Sequence, residues 1–244
     1  MDKTEAIVFD FIGTLTTLVN YTKMSQRQDM KLHETLVNAG FNTKYEAFFE
    51  SYEKAFQKYL EIRSRELVEV RNAVWIAEAL INLGYSVTPE DEVVKAAVNS
   101  YFEDYLKALR LRPQTKSTLQ SLRGKLKLGL VSNFTHAPLI YAGLRKLSIY
   151  DLFQSVVVSE AIGWRKPSRR IFQEALERLQ VKAENAIYVG DSPIEDIQGA
   201  KKAGFRTVFV QSQFNTLKDM KQAPQQPDFY LTKLPDLIEI QHQA

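Results

Sequence analysis

Ile187-Tyr188-Val189-Gly190-Asp191-Ser192-Pro193-Ile194-Glu195-Asp196-Ile197-Gln198-Gly199-Ala200 reads as a buried strand, a turn and the start of a helix. The apolar run ends at Gly190. Ser192 followed three residues later by Glu195 has the form of a capping box, with Pro193 in the first helical position. The helix therefore begins just after Asp191, and its amino terminus faces whatever lies beyond the strand end. Asp191, Glu195 and Asp196 crowd negative charge into one turn, and a divalent cation relieves such repulsion. The cap accounts for Glu195. Asp191 is left as a candidate metal ligand and Asp196 as its supporting neighbour.

Outward from this stretch, the other β-rich runs are Ala6–Phe9, Leu128–Val131, Val156–Val158 and Thr207–Val210, with a sixth at Phe229–Leu231 and a last short helix from about Leu234 to Ile240. From Lys127 onward, segments of helical period separate the strands, which predicts an α/β fold: a parallel sheet with helices on both faces. Between the first two of these strands more than a hundred residues pass without a convincing strand. Apolar stripes at helical spacing fill the interval: Phe48, Tyr52, Ala55, Phe56 and Tyr59, then Leu67, Val70, Val74, Ala77 and Ile81, then Val94, Val98, Tyr101, Tyr105 and Leu109. Thr88-Pro89 reads as an N-cap and first helical residue, and Arg112-Pro113 marks the return. The expected organisation is a core of residues 1–16 and 109–244 with a helical insertion over 17–108.

Of the 244 residues, 45% are hydrophobic and 25% charged, with a formal net charge of +3. That is a globular composition. Lysine and arginine are scattered and no reading motif is present, so no nucleic-acid partner is expected. The absence of cysteine excludes disulfides, thiolate metal sites and cysteine nucleophiles. The run Ala6–Phe9 is too short for a signal-peptide core or a membrane span, so a cytoplasmic chain with no membrane partner is expected.

Three further positions end predicted strands or follow them closely. Asp10 stands in Phe9-Asp10-Phe11-Ile12-Gly13-Thr14-Leu15, Ser132-Asn133 follows Leu128–Val131, and Lys166 lies in Gly163-Trp164-Arg165-Lys166-Pro167 ahead of a helix that Ser168 would cap. In open α/β sheets ligands gather outside the carboxyl ends of the strands. Taken singly, each has an ordinary reading: a turn-capping aspartate, a turn serine with no Gly-x-Ser-x-Gly elbow around it, a solvated loop lysine beside a competing Arg165.

Together, Asp10 with Gly13-Thr14, then Ser132, then Lys166-Pro167, then Gly190-Asp191 with Asp196, this sequence resembles the haloacid dehalogenase-like superfamily. The resemblance implies a Rossmann-like core under a helical cap domain. It also implies a small phosphorylated substrate, with Asp10 attacking phosphorus to form a transient aspartyl-phosphate. Ser132 would bind the phosphoryl oxygens with Asn133 beside it, and Lys166 would neutralise charge on the nucleophile and the transferring group. Mg²⁺ would sit on Asp10, the backbone carbonyl of Ile12 and Asp191, supported by Thr14 and Asp196. Phosphoryl transfer asks a protein mainly for positioning and charge stabilisation, and a carboxylate nucleophile divides one hard hydrolysis into two steps.

Ile12 departs from the pattern, because phosphatases of this superfamily usually carry a proton-transferring aspartate there. Such acid–base help is commonly worth ~10²- to 10⁴-fold in rate. Three readings stay open: a phosphatase that obtains its proton elsewhere or uses easily expelled leaving groups, a 2-haloacid dehalogenase-like enzyme with Asp10 attacking carbon, and a slow or silent module binding a phosphorylated ligand. Tyr52, Phe56, Tyr59, Arg63, Arg65 and Trp75 could line a lid, but aromatics at helical spacing are more often core than binding residues, so none is assigned to the site; Thr16 and Tyr21 lie near the hinge, and a homodimer stays open.

Overall fold

The computed structural model describes residues 4–243; Met1–Lys3 and Ala244, the ends of the expected core, lie outside the described residues. β1 (Ala6–Phe9) is the central strand. β2 (Thr16–Leu18) and β3 (Leu109–Leu111) form a small antiparallel ribbon, and β4 (Lys127–Ser132), β5 (Ser155–Val158), β6 (Ala186–Gly190), β7 (Arg206–Val210) and β8 (Phe229–Leu231) complete a six-stranded sheet of order β5-β4-β1-β6-β7-β8. Every pair in that sheet is parallel. The chain builds outward from β1 to β5, then returns to the other side of β1, so β1 is the point where the strand order reverses. Phe9 is opposite both Leu130 and Val189, which brings Asp10, Ser132 and Asp191 out at one edge.

Strand alternation divides the core as the pleat requires. Ile7, Phe9, Leu128, Leu130, Ile187 and Val189 face one way, against α5 (Thr115–Arg123) and α6 (Ala137–Lys146). Ala6, Val8, Val131, Val157 and Tyr188 face the other way, against α8 (Arg169–Leu179) and α9 (Gly199–Ala203). Full burial of a side chain such as Phe9 stabilises the fold by about 2–3 kcal/mol. The short α7 (Ser159–Ile162) follows β5, α10 (Leu217–Gln222) precedes β8, and α11 (Leu237–Gln243) ends the described chain after a 3₁₀ turn, Leu234–Asp236. No helix among the described residues is long and apolar enough to cross a membrane.

Four helices lie between β2 and β3: α1 (Tyr21–Asn38), α2 (Tyr45–Glu66), α3 (Asn72–Asn82) and α4 (Glu92–Ala108). α1 packs on α4 and α2 on α3. Three details depart from the sequence reading. The interval expected to be wholly helical opens and closes with the β2–β3 ribbon, where Thr16 pairs with Leu111 and Leu18 with Leu109. The stripe from Leu67 to Ile81 is not one helical face: α2 ends at Glu66, Leu67 adopts a left-handed conformation, α3 starts at Asn72, and Ile81 is half exposed. Thr88 does not cap α4. Its backbone N–H and hydroxyl both donate to Asp91, at 3.0 and 2.8 Å, and the helix starts only at Glu92.

Candidate active site

Asp10 follows β1 directly, and its backbone N–H donates to the carbonyl of Val189 at 2.9 Å, fixing it at the sheet edge. The next residues turn tightly: Thr16 Oγ1 donates to the Phe11 carbonyl at 2.9 Å, and Arg112, on the returning chain, donates to the Gly13 carbonyl at 2.7 Å. The Arg112-Pro113 return thus braces the loop after β1 itself. Gly13 has φ +102° and lies so close to Asp191 that a Cβ would stand 2.5 Å from the carboxylate, so no other residue fits. No hydrogen bond to the Ile12 carbonyl occurs among the described residues, whereas the carbonyls of Phe11, Gly13 and Thr14 all accept one.

Lys166 is 2% exposed and reaches back under Asp10. Its Nζ lies 2.7 Å from Asp10 Oδ1, 2.7 Å from Asp196 Oδ1, 3.1 Å from the Tyr188 hydroxyl and 3.2 Å from the Val131 carbonyl. Burial works against the ammonium, yet Asp10 and Asp196 hold its pKa well above the ordinary lysine value, so it stays charged. Asn133, expected beside the substrate, borders the same cavity, with its amide engaged by the chain. Its side-chain amide donates to the Lys166 carbonyl at 3.0 Å and its Oδ1 accepts the Lys166 N–H at 2.7 Å, so the amide clamps the lysine loop. Ser132, buried at the end of β4, lines the cavity above these groups.

After β6 the chain winds as a π-helix, Pro193–Gln198, with the Ile197 N–H bonded to the Ser192 carbonyl at 3.1 Å. This wider turn swings Asp196 back over the strand end, where Oδ2 accepts the N–H groups of Asp191 at 3.0 Å and Ser192 at 2.8 Å. A Cβ on Gly190 would collide with Asp196 at 2.4 Å. The capping box is therefore only half built. Ser192 accepts the Glu195 N–H, but the Glu195 carboxylate pairs with Arg165 at 2.9 Å instead of capping Ser192. Ser168 caps α8 as expected, by accepting the Arg170 N–H.

Asp191 is held by Thr14 Oγ1 at 3.2 Å and by two residues the sequence reading missed, Ser212 at 2.6 Å and Asn215 at 3.1 Å, both in the loop after β7. Asp10, Asp191 and Asp196 each place a carboxylate oxygen within 4.8 Å of the others. Asp196 has both oxygens committed to internal donors, but Asp10 Oδ2 is buried and has no partner. An orphaned carboxylate oxygen beside a second carboxylate and an unclaimed carbonyl is a hard-oxygen set that fits Mg²⁺. Burial pushes the Asp10 carboxyl well above the ordinary range; Lys166 pulls it down, while Asp196 and Asp191 push it up again. Burial and Asp196 likewise raise Asp191. One ammonium does not balance three carboxylates.

These groups open into a cavity of about 320 Å³, also lined by Ile12, Tyr105, Phe134 and Phe214. Tyr105, read from sequence as a packing residue, lines it from α4. Tyr52, Phe56, Arg63 and Trp75 do pack: Trp75 donates to the Tyr52 hydroxyl at 3.1 Å, meets Phe56 edge-on at 5.5 Å, and has Arg63 over its ring. Tyr21 sits edge-on to Phe214 at 6.0 Å, at the rim.

The model of the haloacid dehalogenase-like hydrolases matches residues 4–204. The glyceraldehyde 3-phosphate phosphatase of Methanothermobacter thermautotrophicus is 30% identical over 212 residues, 86% of each chain. That of Methanopyrus kandleri is 37% identical over 153 residues, 62% of this chain and 65% of the relative. Among solved structures, the 2-haloacid dehalogenase of Pseudomonas syringae superposes with a TM-score of 0.71 at 24% identity, covering 98% of both chains; this likeness is one of fold. From the sequence match and the arrangement at the strand ends alike, the chain belongs to the haloacid dehalogenase-like hydrolase family.

Proposed function

We propose that this protein is a Mg²⁺-dependent phosphatase of a small phosphorylated metabolite, with Asp10 as nucleophile. The observation that carries the reading is the unpartnered Asp10 Oδ2 beside an Asp191 that three donors hold in place. Such a pair calls for a cation. Displacing halide from carbon gives Asp191 and its supporting residues no task. The phosphatase names of the two archaeal relatives support the same choice and suggest a triose phosphate as the first compound to try.

Asp10 attacks phosphorus, the bond to the leaving oxygen breaks, and water then hydrolyses the aspartyl-phosphate to release phosphate. Lys166 holds the nucleophile in place and offsets the charge of the transferring group, and Ser132 hydrogen-bonds a phosphoryl oxygen. Asp10, the Ile12 carbonyl and Asp191 would hold Mg²⁺, which supplies charge stabilisation to the phosphoryl oxygens. Asp196 keeps Lys166 and the backbone of Asp191 in register. The helices α1–α4 serve as the cap that closes over the strand ends and excludes water.

The test is phosphate release from glyceraldehyde 3-phosphate and from aryl, acyl and sugar phosphates, with and without Mg²⁺, beside an Asp10→Asn control. Mg²⁺-dependent release lost in the control is the expected result. Halide release from a 2-haloacid without metal would replace this reading with dehalogenation.

A further inference from the structure

With Ile12 in the nucleophile loop, the negative charge that collects on the leaving oxygen needs a partner from elsewhere. The polar side chains around the cavity are nearly all committed. Lys166 is surrounded by four oxygens, Glu195 is paired with Arg165, Asn133 is clamped to the Lys166 backbone, and Asn215 donates to Asp191. Two hydroxyls make no hydrogen bond among the described residues: Ser132 at the strand end, and Tyr105 on α4. Ser132 stands on the sheet side, where the phosphoryl group must meet Asp10. Tyr105 is the one residue of α1–α4 that lines the cavity, so it borders the space from the helices and not from the sheet.

The tyrosine ring is fixed. It meets Phe134 edge-on at 5.4 Å and Phe102 at 6.1 Å, two contacts that hold its direction without engaging its oxygen. We propose that Tyr105 is a catalytic residue whose hydroxyl donates a hydrogen bond to the leaving-group oxygen, taking the place of the acid absent at Ile12. The inference rests on the phosphatase reading above. As Asp10 bonds to phosphorus, the electron pair of the breaking P–O bond stays on the leaving oxygen; the Tyr105 hydrogen bond stabilises it, and the departing oxygen takes its proton from water. Burial, with Tyr21 and Asp10 adding to it, pushes the phenol far above its ordinary range, so the hydroxyl keeps its proton and remains a donor throughout.

A fixed donor helps in proportion to the charge that collects, so the test is a leaving-group series. Acetyl, 4-nitrophenyl, phenyl and glyceryl phosphates are compared at saturating Mg²⁺ in the wild type, Tyr105→Phe and Tyr105→Phe/Ile12→Asp, with Asp10→Asn as control. Tyr105→Phe keeps the ring packing and is expected to leave the melting temperature unchanged. It should lower kcat by ~10- to 100-fold on glyceryl phosphate, the range for losing a hydrogen bond to a charged oxygen, and by less than about threefold on acetyl phosphate. Ile12→Asp in that background should return most of the loss on glyceryl phosphate. An equal loss across the series, or none, overturns the role of Tyr105 and leaves the phosphatase reading standing. No Asp10-dependent phosphate release in the wild type overturns both.

Discussion

The two walls of the acidic cluster differ in how fully their hydrogen bonds are satisfied. On one wall, Lys166, Asp196 and Tyr188 are buried and bonded to one another, to backbone and, through Lys166, to one oxygen of Asp10. On the other, Asp10 keeps an oxygen without a partner, and Asp191 is held by hydroxyl and amide donors that leave it room for another bond. The contrast separates the groups that set the geometry, among which Lys166 acts through its charge, from those left free to take a ligand. A saturated buried network sets geometry and has little left to offer a ligand, whereas an unsaturated buried carboxylate persists because something completes it.

The widest test of this contrast is Asp10→Asn, which should lower turnover by ~10⁴-fold or more, as loss of a nucleophile does, with little change in the melting temperature. Retention of even a tenth of the activity would place the chemistry elsewhere. Lys166→Met strikes the saturated wall and should cost about 3–5 kcal/mol of stability, because it leaves buried carboxylates unneutralised; denaturant titration reads the loss.

Mg²⁺ should act on the open wall alone. At about a hundredfold over its dissociation constant it should stabilise the protein by ~2.7 kcal/mol, seen as a rise in melting temperature. The sign of the pH dependence follows from the raised carboxyls. Because Asp10 and Asp191 bind protons more tightly folded than unfolded, the metal-free protein loses stability as pH rises through the raised folded values. The Mg²⁺ increment should therefore be larger at neutral pH than at about pH 5, where protons compete for the same oxygens. Asp191→Asn should abolish the increment while leaving the metal-free protein at least as stable as the wild type, since it removes one of three crowded charges. The smallest effect belongs to Ser212→Ala, which should weaken Mg²⁺ binding by roughly 10-fold, the lower end for a residue that orients a ligand, without changing metal-free stability by more than about 1 kcal/mol. Calorimetric titration with Mg²⁺ measures it.

The legible parts of the molecule are those whose signal is local. Ile187–Val189 and Ala6–Phe9 announce strands by composition, and Asp10 and Asp191 are visible because they follow those strands. Tyr188 hides in the same run, since nothing local tells a buried tyrosine with a bonded hydroxyl from one that merely packs. β2 and β3 are three residues each and find their partners across the whole insertion, so no local periodicity marks them. Tyr105 shares its stripe with Val94 and Val98, and only the placement of α4 over the strand ends turns it toward the cavity. Ser212 and Asn215 were out of reach for the same reason: the parallel register of β6 and β7 carries their loop to Asp191.

The β2–β3 ribbon closes a very long loop. It is a hairpin whose loop is the entire run of α1–α4, with Val19 and Ala108 joined by a further backbone bond at 3.0 Å. Closure entropy grows only with the logarithm of loop length, so replacing a two-residue turn by about ninety residues costs roughly 3 kcal/mol even for a structureless segment. Helices that pack on one another bring their own ends together and cost less. Closure of the hairpin is thus nearly indifferent to the size of what it carries, whereas the acidic edge is tied to its contents: the Leu67 carbonyl accepts the Arg165 N–H and the Glu69 N–H donates to the Gly163 carbonyl, just ahead of Lys166, so helices can be lengthened or exchanged beyond Leu18 and Leu109 where those bonds are kept.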